Sequence, residues 1–195
     1  DTKLDQQPTK KMILPEKQRP TKEDERAAAA LPQPAGSDET NLVQGSGAVL
    51  MRLVTLAAEQ EESASEGGPA GTLQATCFHA RGALKVGIPS YLSRIRQHIP
   101  CSDACFVMAL VYIDRVVQQD PAIDVTGRTC HRLVLTGIML ATRFHDDEED
   151  LHYPNAFFAK VGGVGAAELA GLERRFLELL SWRLYVSPAE YERYH

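Results

Sequence analysis

The stretch His131-Arg132-Leu133-Val134-Leu135-Thr136-Gly137-Ile138-Met139-Leu140-Ala141-Thr142-Arg143-Phe144 decides how this chain folds. From Leu133 to Leu140 it is apolar on every side of a helix except at Thr136 and Gly137. A surface helix keeps a polar face, so a helix that is apolar all round has to be enclosed by other elements. Crossing a bilayer takes about 20 consecutive apolar residues, and this run is shorter. The stretch therefore predicts the central rod of an all-α bundle. The rod ends in a cation, Arg143, followed by an acidic loop from His145 to Asp150.

Working outward, Cys105, Phe106, Ala109, Leu110, Ile113, Val116 and Val117 recur at helical spacing and predict a helix that Pro121 ends. Ser102 stands where an N-cap is needed, and Ser90 does the same for a helix from Tyr91 to His98. Further upstream, Val49, Leu50, Leu53, Leu56 and Ala57 predict an extra N-terminal helix, which dissolves into a Glu-, Ser- and Gly-rich loop from Glu59 to Gly71. Downstream, a short helix from Asn155 to Val161 stops at Gly162-Gly163. A longer one from Ala166 to Ser181 turns Leu169, Leu172, Phe176, Leu179 and Leu180 inward, and Pro188 suits the first turn of a last helix. Residues 1–46 are rich in Lys, Glu, Gln, Pro and Ala and read as a disordered tail. Residues 47–195 read as one domain of ordinary size, with a core at about 88–186.

Composition narrows the function. The net charge of −5 gives no basic footprint for nucleic acid, and no run is long enough for a membrane span. The first residues, Asp1-Thr2-Lys3-Leu4-Asp5, carry no apolar signal core, which points to an intracellular protein of the cytoplasm, the nucleus or both. The four cysteines form no C-x-x-C pair and read as free thiols. There is no nucleophile elbow, P-loop or Gly-rich nucleotide fingerprint, so no catalytic residue, cofactor or metal site is predicted. The one metal-like pattern is His131 with His145-Asp146 and Asp150, the kind of set by which a helical phosphohydrolase holds divalent metal to activate water. It lies in a string of acids that reads more simply as a solvated loop.

Interaction is the stronger theme. Arg143 at the rod's end and Glu173 in the last long helix can meet if those helices lie side by side. Leu140, Phe144, Leu177, Trp182 and Leu184 surround them in sequence terms. An aromatic and aliphatic patch centred on one paired charge fits a binding hot spot, and equally a structural salt bridge over core residues. Asp114 and Arg115, inside an apolar helix, predict a structural charge pair. Asp114 is expected to find a cation such as Arg94 or Lys85, or to cap neighbouring backbone.

Taken in order, these segments resemble the PHO-type (P/U-type) cyclins. The resemblance runs from about Val49 to Tyr191. It rests on Phe78-His79, Ile88-Pro89-Ser90-Tyr91-Leu92-Ser93-Arg94-Ile95, Ser102 with Cys105-Phe106-Val107, and Val111-Tyr112-Ile113-Asp114-Arg115. It continues with His131-Arg132-Leu133, Ala141-Thr142-Arg143-Phe144, Asn155 to Val164, and Glu168-Leu169 with Leu172-Glu173 and Phe176-Leu177. The resemblance implies a cyclin box: five helices with a central buried one, plus an extra N-terminal helix.

It also implies a non-catalytic regulatory subunit, without cofactor, that binds and activates a cyclin-dependent protein kinase in the cell cycle or in nutrient signalling. Substrates or kinase inhibitors would be further partners. The family's helix-3 lysine and helix-5 glutamate, which touch the kinase, correspond to Arg143 and Glu173. Leu140, Phe144, Leu177, Trp182 and Leu184 correspond to apolar contacts. In the acidic loop, Asp146 and Asp147 are candidates to reach kinase arginines that otherwise hold a phosphorylated activation loop, with a plain solvated loop the simpler reading. The helix-1 docking motif of cell-cycle cyclins is absent, and Tyr91-Leu92-Ser93-Arg94-Ile95 stands there instead. The alternatives are a cyclin-fold adaptor without kinase activation and the His-Asp metal phosphohydrolase.

Overall fold

The computed structural model describes residues 39–65, 75–80, 82, 86–146 and 153–195. The chain divides into two units, Asp1–Leu31 and Pro32–His195, and every described residue belongs to the second. Most of the segment read as a tail, and also Lys85, Asp147 and Asp150, lie outside the described residues.

Seven helices are described: α1 Glu39–Ser65, α2 Ile88–His98, α3 Ala104–Gln119, α4 Cys130–His145, α5 Asn155–Gly162, α6 Ala166–Leu179 and α7 Pro188–Tyr191. No strand occurs among the described residues. The rod is α4. Leu133, Val134, Leu135, Ile138, Met139, Leu140 and Ala141 are all buried, as are Thr136 and Gly137. The helix packs against α2, α3, α5 and α6, which makes the architecture the expected five-helix bundle around a central buried helix, with α1 added at the N-terminal side.

Two glycines let the rod be approached closely. A Cβ on Gly137 would come within 3.1 Å of the Ala109 Cβ and 3.3 Å of its Cα, so α3 and α4 meet almost backbone to backbone. A Cβ on Gly162 would collide with the Leu135 side chain, so the end of α5 lies directly on the rod. Gly163 then takes a left-handed conformation, φ 72°, and ends α5 as a glycine after a helix commonly does. The polar group inside the rod is satisfied locally: the Thr136 hydroxyl donates to the Arg132 carbonyl at 2.8 Å.

Several boundaries depart from the sequence reading. The N-terminal helix begins at Glu39, upstream of the boundary at 47, and runs to Ser65 through the Glu-rich segment expected to be loop. Glutamate is a good helix former, so a Glu-rich segment continues a helix readily. Ser90 is not a cap. Gly87 is the N-cap, and α2 starts at Ile88 with Pro89 in its first turn, where no backbone N–H is needed. Ser102 does not cap α3 either. Asp103 occupies that position, buried and ion-paired with Arg96 of α2. Pro188 does open the last helix, with the Ser187 hydroxyl accepting from the Glu190 N–H at 3.2 Å.

Candidate functional site

Arg143 lies in the last turn of α4, where a cation faces the negative end of the helix dipole. Its Nη1 donates to Glu173 Oε1 on α6 at 2.7 Å. Nη2 donates to Asn155 Oδ1 at 2.6 Å and to the Tyr153 carbonyl at 3.0 Å. Asn155 Nδ2 in turn donates to Glu173 Oε2 at 2.8 Å. Three helices thus close a ring of hydrogen bonds, Arg143 to Glu173 to Asn155 and back. The guanidinium also lies over the Phe158 ring, 5.2 Å from its centroid. The Arg143 and Glu173 side chains are 31% and 22% exposed, so the ring is held firmly yet reaches solvent. The sequence reading paired Arg143 with Glu173 but missed Asn155, Tyr153 and Phe158. Asn155 after a proline looks like an ordinary helix start, and only the packing of α5 against α4 and α6 brings its amide to the pair.

The apolar residues named with this pair separate by burial. Leu140 and Leu177 are 3% and 7% exposed and belong to the interior. Phe144, Trp182 and Leu184 are half-buried. The chain leaves α6 through an unusual turn. The Trp182 N–H donates to the Leu177 carbonyl at 3.0 Å, and Ser181 has φ 50° and Trp182 φ 63°. A six-to-one bond closed by a left-handed residue is a Schellman ending, here without the usual glycine. Left-handed backbone costs roughly 1–2 kcal/mol for a residue with a Cβ, so the fold stores strain where Trp182 is presented. Two residues on, the Leu184 carbonyl accepts from Tyr112 Oη of α3 at 2.5 Å, with His145 Nε2 at 3.2 Å. Tyr112 Oη and His145 Nε2 are 2.9 Å apart, and Phe144 packs edge-on against the His145 ring. Burial holds the Tyr112 hydroxyl far above its ordinary pKa, so it stays protonated and able to donate.

Asp146 follows α4 directly. Its Oδ1 accepts from the Ser102 hydroxyl at 2.7 Å, and Oδ2 accepts from the Ser102 N–H at 2.9 Å and the Cys105 thiol at 3.4 Å. The carboxylate therefore binds the N-terminal end of α3. Asp147, named beside it, lies outside the described residues.

The metal pattern does not assemble. His131 and His145 stand at opposite ends of α4, separated by about 21 Å of helical rise. His131 Nε2 lies 2.8 Å from the Val86 carbonyl, and His145 is engaged with Tyr112 and Leu184. No cluster of three metal-ligating side chains occurs among the described residues. The phosphohydrolase alternative falls on that geometry.

Asp114 and Arg115 are both bonded within the chain. Asp114 accepts from Gln118 Nε2 at 2.8 Å and from Tyr194 Oη at 2.7 Å; Lys85 lies outside the described residues. Arg115 donates to the carbonyls of Arg183 at 2.8 Å and Tyr185 at 3.1 Å, and pairs with Glu190 at 2.7 Å. Together they clamp the chain after α6 onto α3. Burial and the Asp114 carboxylate push the Tyr194 hydroxyl up to about 12, which keeps it a donor. Between these residues and Arg193 is an open, polar cavity of about 470 Å³.

No described helix is long and apolar enough to cross a membrane. The Cyclin family model matches residues 40–184. The chain is 40% identical over 117 residues to Cyclin-U4-1 of Arabidopsis thaliana, covering 60% of this chain and 56% of that protein. It is 35% identical over 149 residues to Cyclin-P4-1 of Oryza sativa subsp. japonica, covering 75% and 69%. It is 36% identical over 159 residues to Cyclin-U2-1 of Arabidopsis thaliana, covering 80% and 69%. The chain spans about half the length of Cyclin-U4-1 and of other curated relatives it matches.

Proposed function

This chain belongs to the cyclin family, and from that premise we propose that it binds and activates a cyclin-dependent protein kinase through the face built on Arg143 and Glu173. The observation that carries the reading is that ion pair. It is fixed at 2.7 Å within a ring that spans three helices, and half-buried Phe144, Trp182 and Leu184 are the apolar residues proposed to complete the face. Interface cores favour large aromatic anchors with a few fixed polar groups, and charged residues are scarce there unless paired. With Nη1 and Nη2 both engaged inside the chain, Arg143 offers a partner single donors, suited to a backbone carbonyl. Leu140 and Leu177, on the same two helices as the pair, are buried.

The mechanism is a population shift. A kinase whose mobile helix and activation segment have inactive and active arrangements is moved toward the active one by a subunit that binds that arrangement better. Phosphoryl transfer then follows from aligned lysine–glutamate and metal-binding groups within the kinase, so this chain supplies no catalytic group. Asp146 Oδ1 keeps an acceptor site beyond Ser102 and is the described carboxylate suited to a kinase arginine; Asp147 is its proposed companion. The cell-cycle or nutrient-signalling setting, with substrates or inhibitors as further partners, belongs to the same proposal.

The test is a pull-down and activity assay with a panel of purified recombinant cyclin-dependent kinases. Wild type should retain and activate at least one, and Glu173→Ala should weaken both effects. Retention and activation unchanged in the variant would remove this face from the proposal. Retention without activation would favour the adaptor alternative.

A further inference from the structure

Asn155 is the one member of the ring that carries no charge, and the ring needs its chemistry. Glu173 is an acceptor and Arg143 a donor, so the residue that joins both must accept on one atom and donate on the other. A carboxamide does this: Oδ1 accepts from Arg143 Nη2 at 2.6 Å and Nδ2 donates to Glu173 Oε2 at 2.8 Å. A carboxylate of the same shape would set two acceptors against each other, and an aliphatic side chain would do neither. The position is fixed by local structure. Asn155 opens α5 directly after Pro154, and the neighbouring Tyr153 carbonyl takes a second bond from the same Nη2. Phe158, one turn further along α5, lies under the guanidinium. The short helix α5 and the residues that lead into it thus supply the acceptors and the platform that orient the cation of α4, and the donor that orients the carboxylate of α6.

We propose that Asn155 is a positioning residue for the partner face, holding Arg143 and Glu173 in the binding arrangement before the kinase arrives. The inference rests on the function proposed above. Arginine is a long side chain with much rotamer freedom, and ordering it in advance lowers the cost of association. The latch also explains why this face works with arginine. A lysine ammonium lacks the planar fork that reaches Asn155, Tyr153 and Glu173 together.

Asn155→Asp changes one atom type and little volume. It should weaken kinase binding more than Asn155→Ala, because it sets a second carboxylate against Glu173. Asn155→Ala itself should cost about three- to tenfold in affinity, the scale of one side chain left to be ordered on binding. The deciding variant is Asn155→Asp combined with Glu173→Gln. It moves the carboxamide to the other side of the same contact, and donor again faces acceptor. The probe is the kinase that wild type retains from the recombinant panel, with affinity measured on purified full chain. Separately, the Arg143 guanidinium N–H resonances of the free chain report whether the side chain is held. They should be distinct in wild type, averaged in Asn155→Asp and distinct again in the double variant.

Restored Arg143 resonances in the free double variant support the inference. If Glu173→Ala weakens binding while Asn155→Asp does not, or if the Arg143 resonances of the double variant stay averaged as in Asn155→Asp, the positioning role is overturned and the face survives. If wild type retains no kinase, or Glu173→Ala binds as wild type does, the face and the inference fall together.

Discussion

Asp146, the first residue beyond the buried rod, ties it to the segment that leads into a different helix. It accepts from the Ser102 backbone N–H at 2.9 Å and the Ser102 hydroxyl at 2.7 Å, just ahead of α3. The two bonds pin the C-terminal end of α4, which carries Arg143 and Phe144, to the start of α3. Asp146→Ala should therefore destabilise the chain by about 1 kcal/mol, the usual net scale for a lost hydrogen bond. A urea titration of the two proteins checks this through a lowered midpoint at unchanged slope. An unchanged midpoint would show that the contact carries no stability.

Ser181 takes the left-handed position that ends α6, with φ 50°. Glycine pays no Cβ penalty there, so Ser181→Gly should stabilise the fold by roughly 0.5–1 kcal/mol, less than the full penalty because glycine also gains freedom in the unfolded chain. Thermal melting should give a higher Tm. A lower Tm would mean that the serine side chain contributes more than the backbone strain costs.

Trp182 is the chain's single tryptophan, is half-buried, and is counted in the proposed face. Labelled with 5-fluorotryptophan, it gives one fluorine resonance, free of any signal from an unlabelled kinase. That resonance should shift and broaden on addition of the retained kinase, and Trp182→Ala should weaken binding at least tenfold if the residue is an anchor of hot-spot rank. An unmoved resonance at saturating kinase would take Trp182 off the interface.

His131 is buried beside the Tyr91 ring, with its Nε2 at the Val86 carbonyl. Burial lowers its pKa from 6.5, and Arg94 of α2 and its own neighbour Arg132 act in the same direction, against the opposing effect of the Val86 carbonyl. The folded chain therefore binds this proton less readily than the unfolded chain does. Stability is full above the unfolded value near 6.5 and falls as the pH drops below it toward the lowered folded value. His131→Gln keeps an N–H for Val86 and removes the titration, so its stability should vary less with pH over that interval. Denaturant midpoints for both proteins at a series of pH values between about 7 and 5 check this. Parallel curves would assign the pH dependence to other groups.

Where the sequence was legible, the reason is that one residue type at one spacing decides the outcome. Leu133 to Leu140 could only be enclosed, because a helix that is apolar on all sides has no face to give to water. Pro121, Gly163 and Pro188 mark helix ends because their backbone chemistry is local. Ser90 and Ser102 misled for the complementary reason. A serine ahead of an apolar run meets the requirement for a cap, but Gly87 and Asp103 take those positions once α2 and α3 pack, and the true acceptor for Ser102 comes from 44 positions away.

The sequence by itself determined an all-α bundle, its central helix, and the pairing of Arg143 with Glu173. Periodicity accounts for the first two, and the family resemblance carried the third. Only the tertiary structure decided that Asn155 joins that pair, that Asp114 bonds Tyr194, and that Leu140 and Leu177 are buried while Phe144, Trp182 and Leu184 are half-buried. Apolar burial follows from each residue's own character and its repeat along one helix. A hydrogen bond between side chains on different helices is short-ranged and directional, and depends on the relative placement of elements that no local pattern encodes.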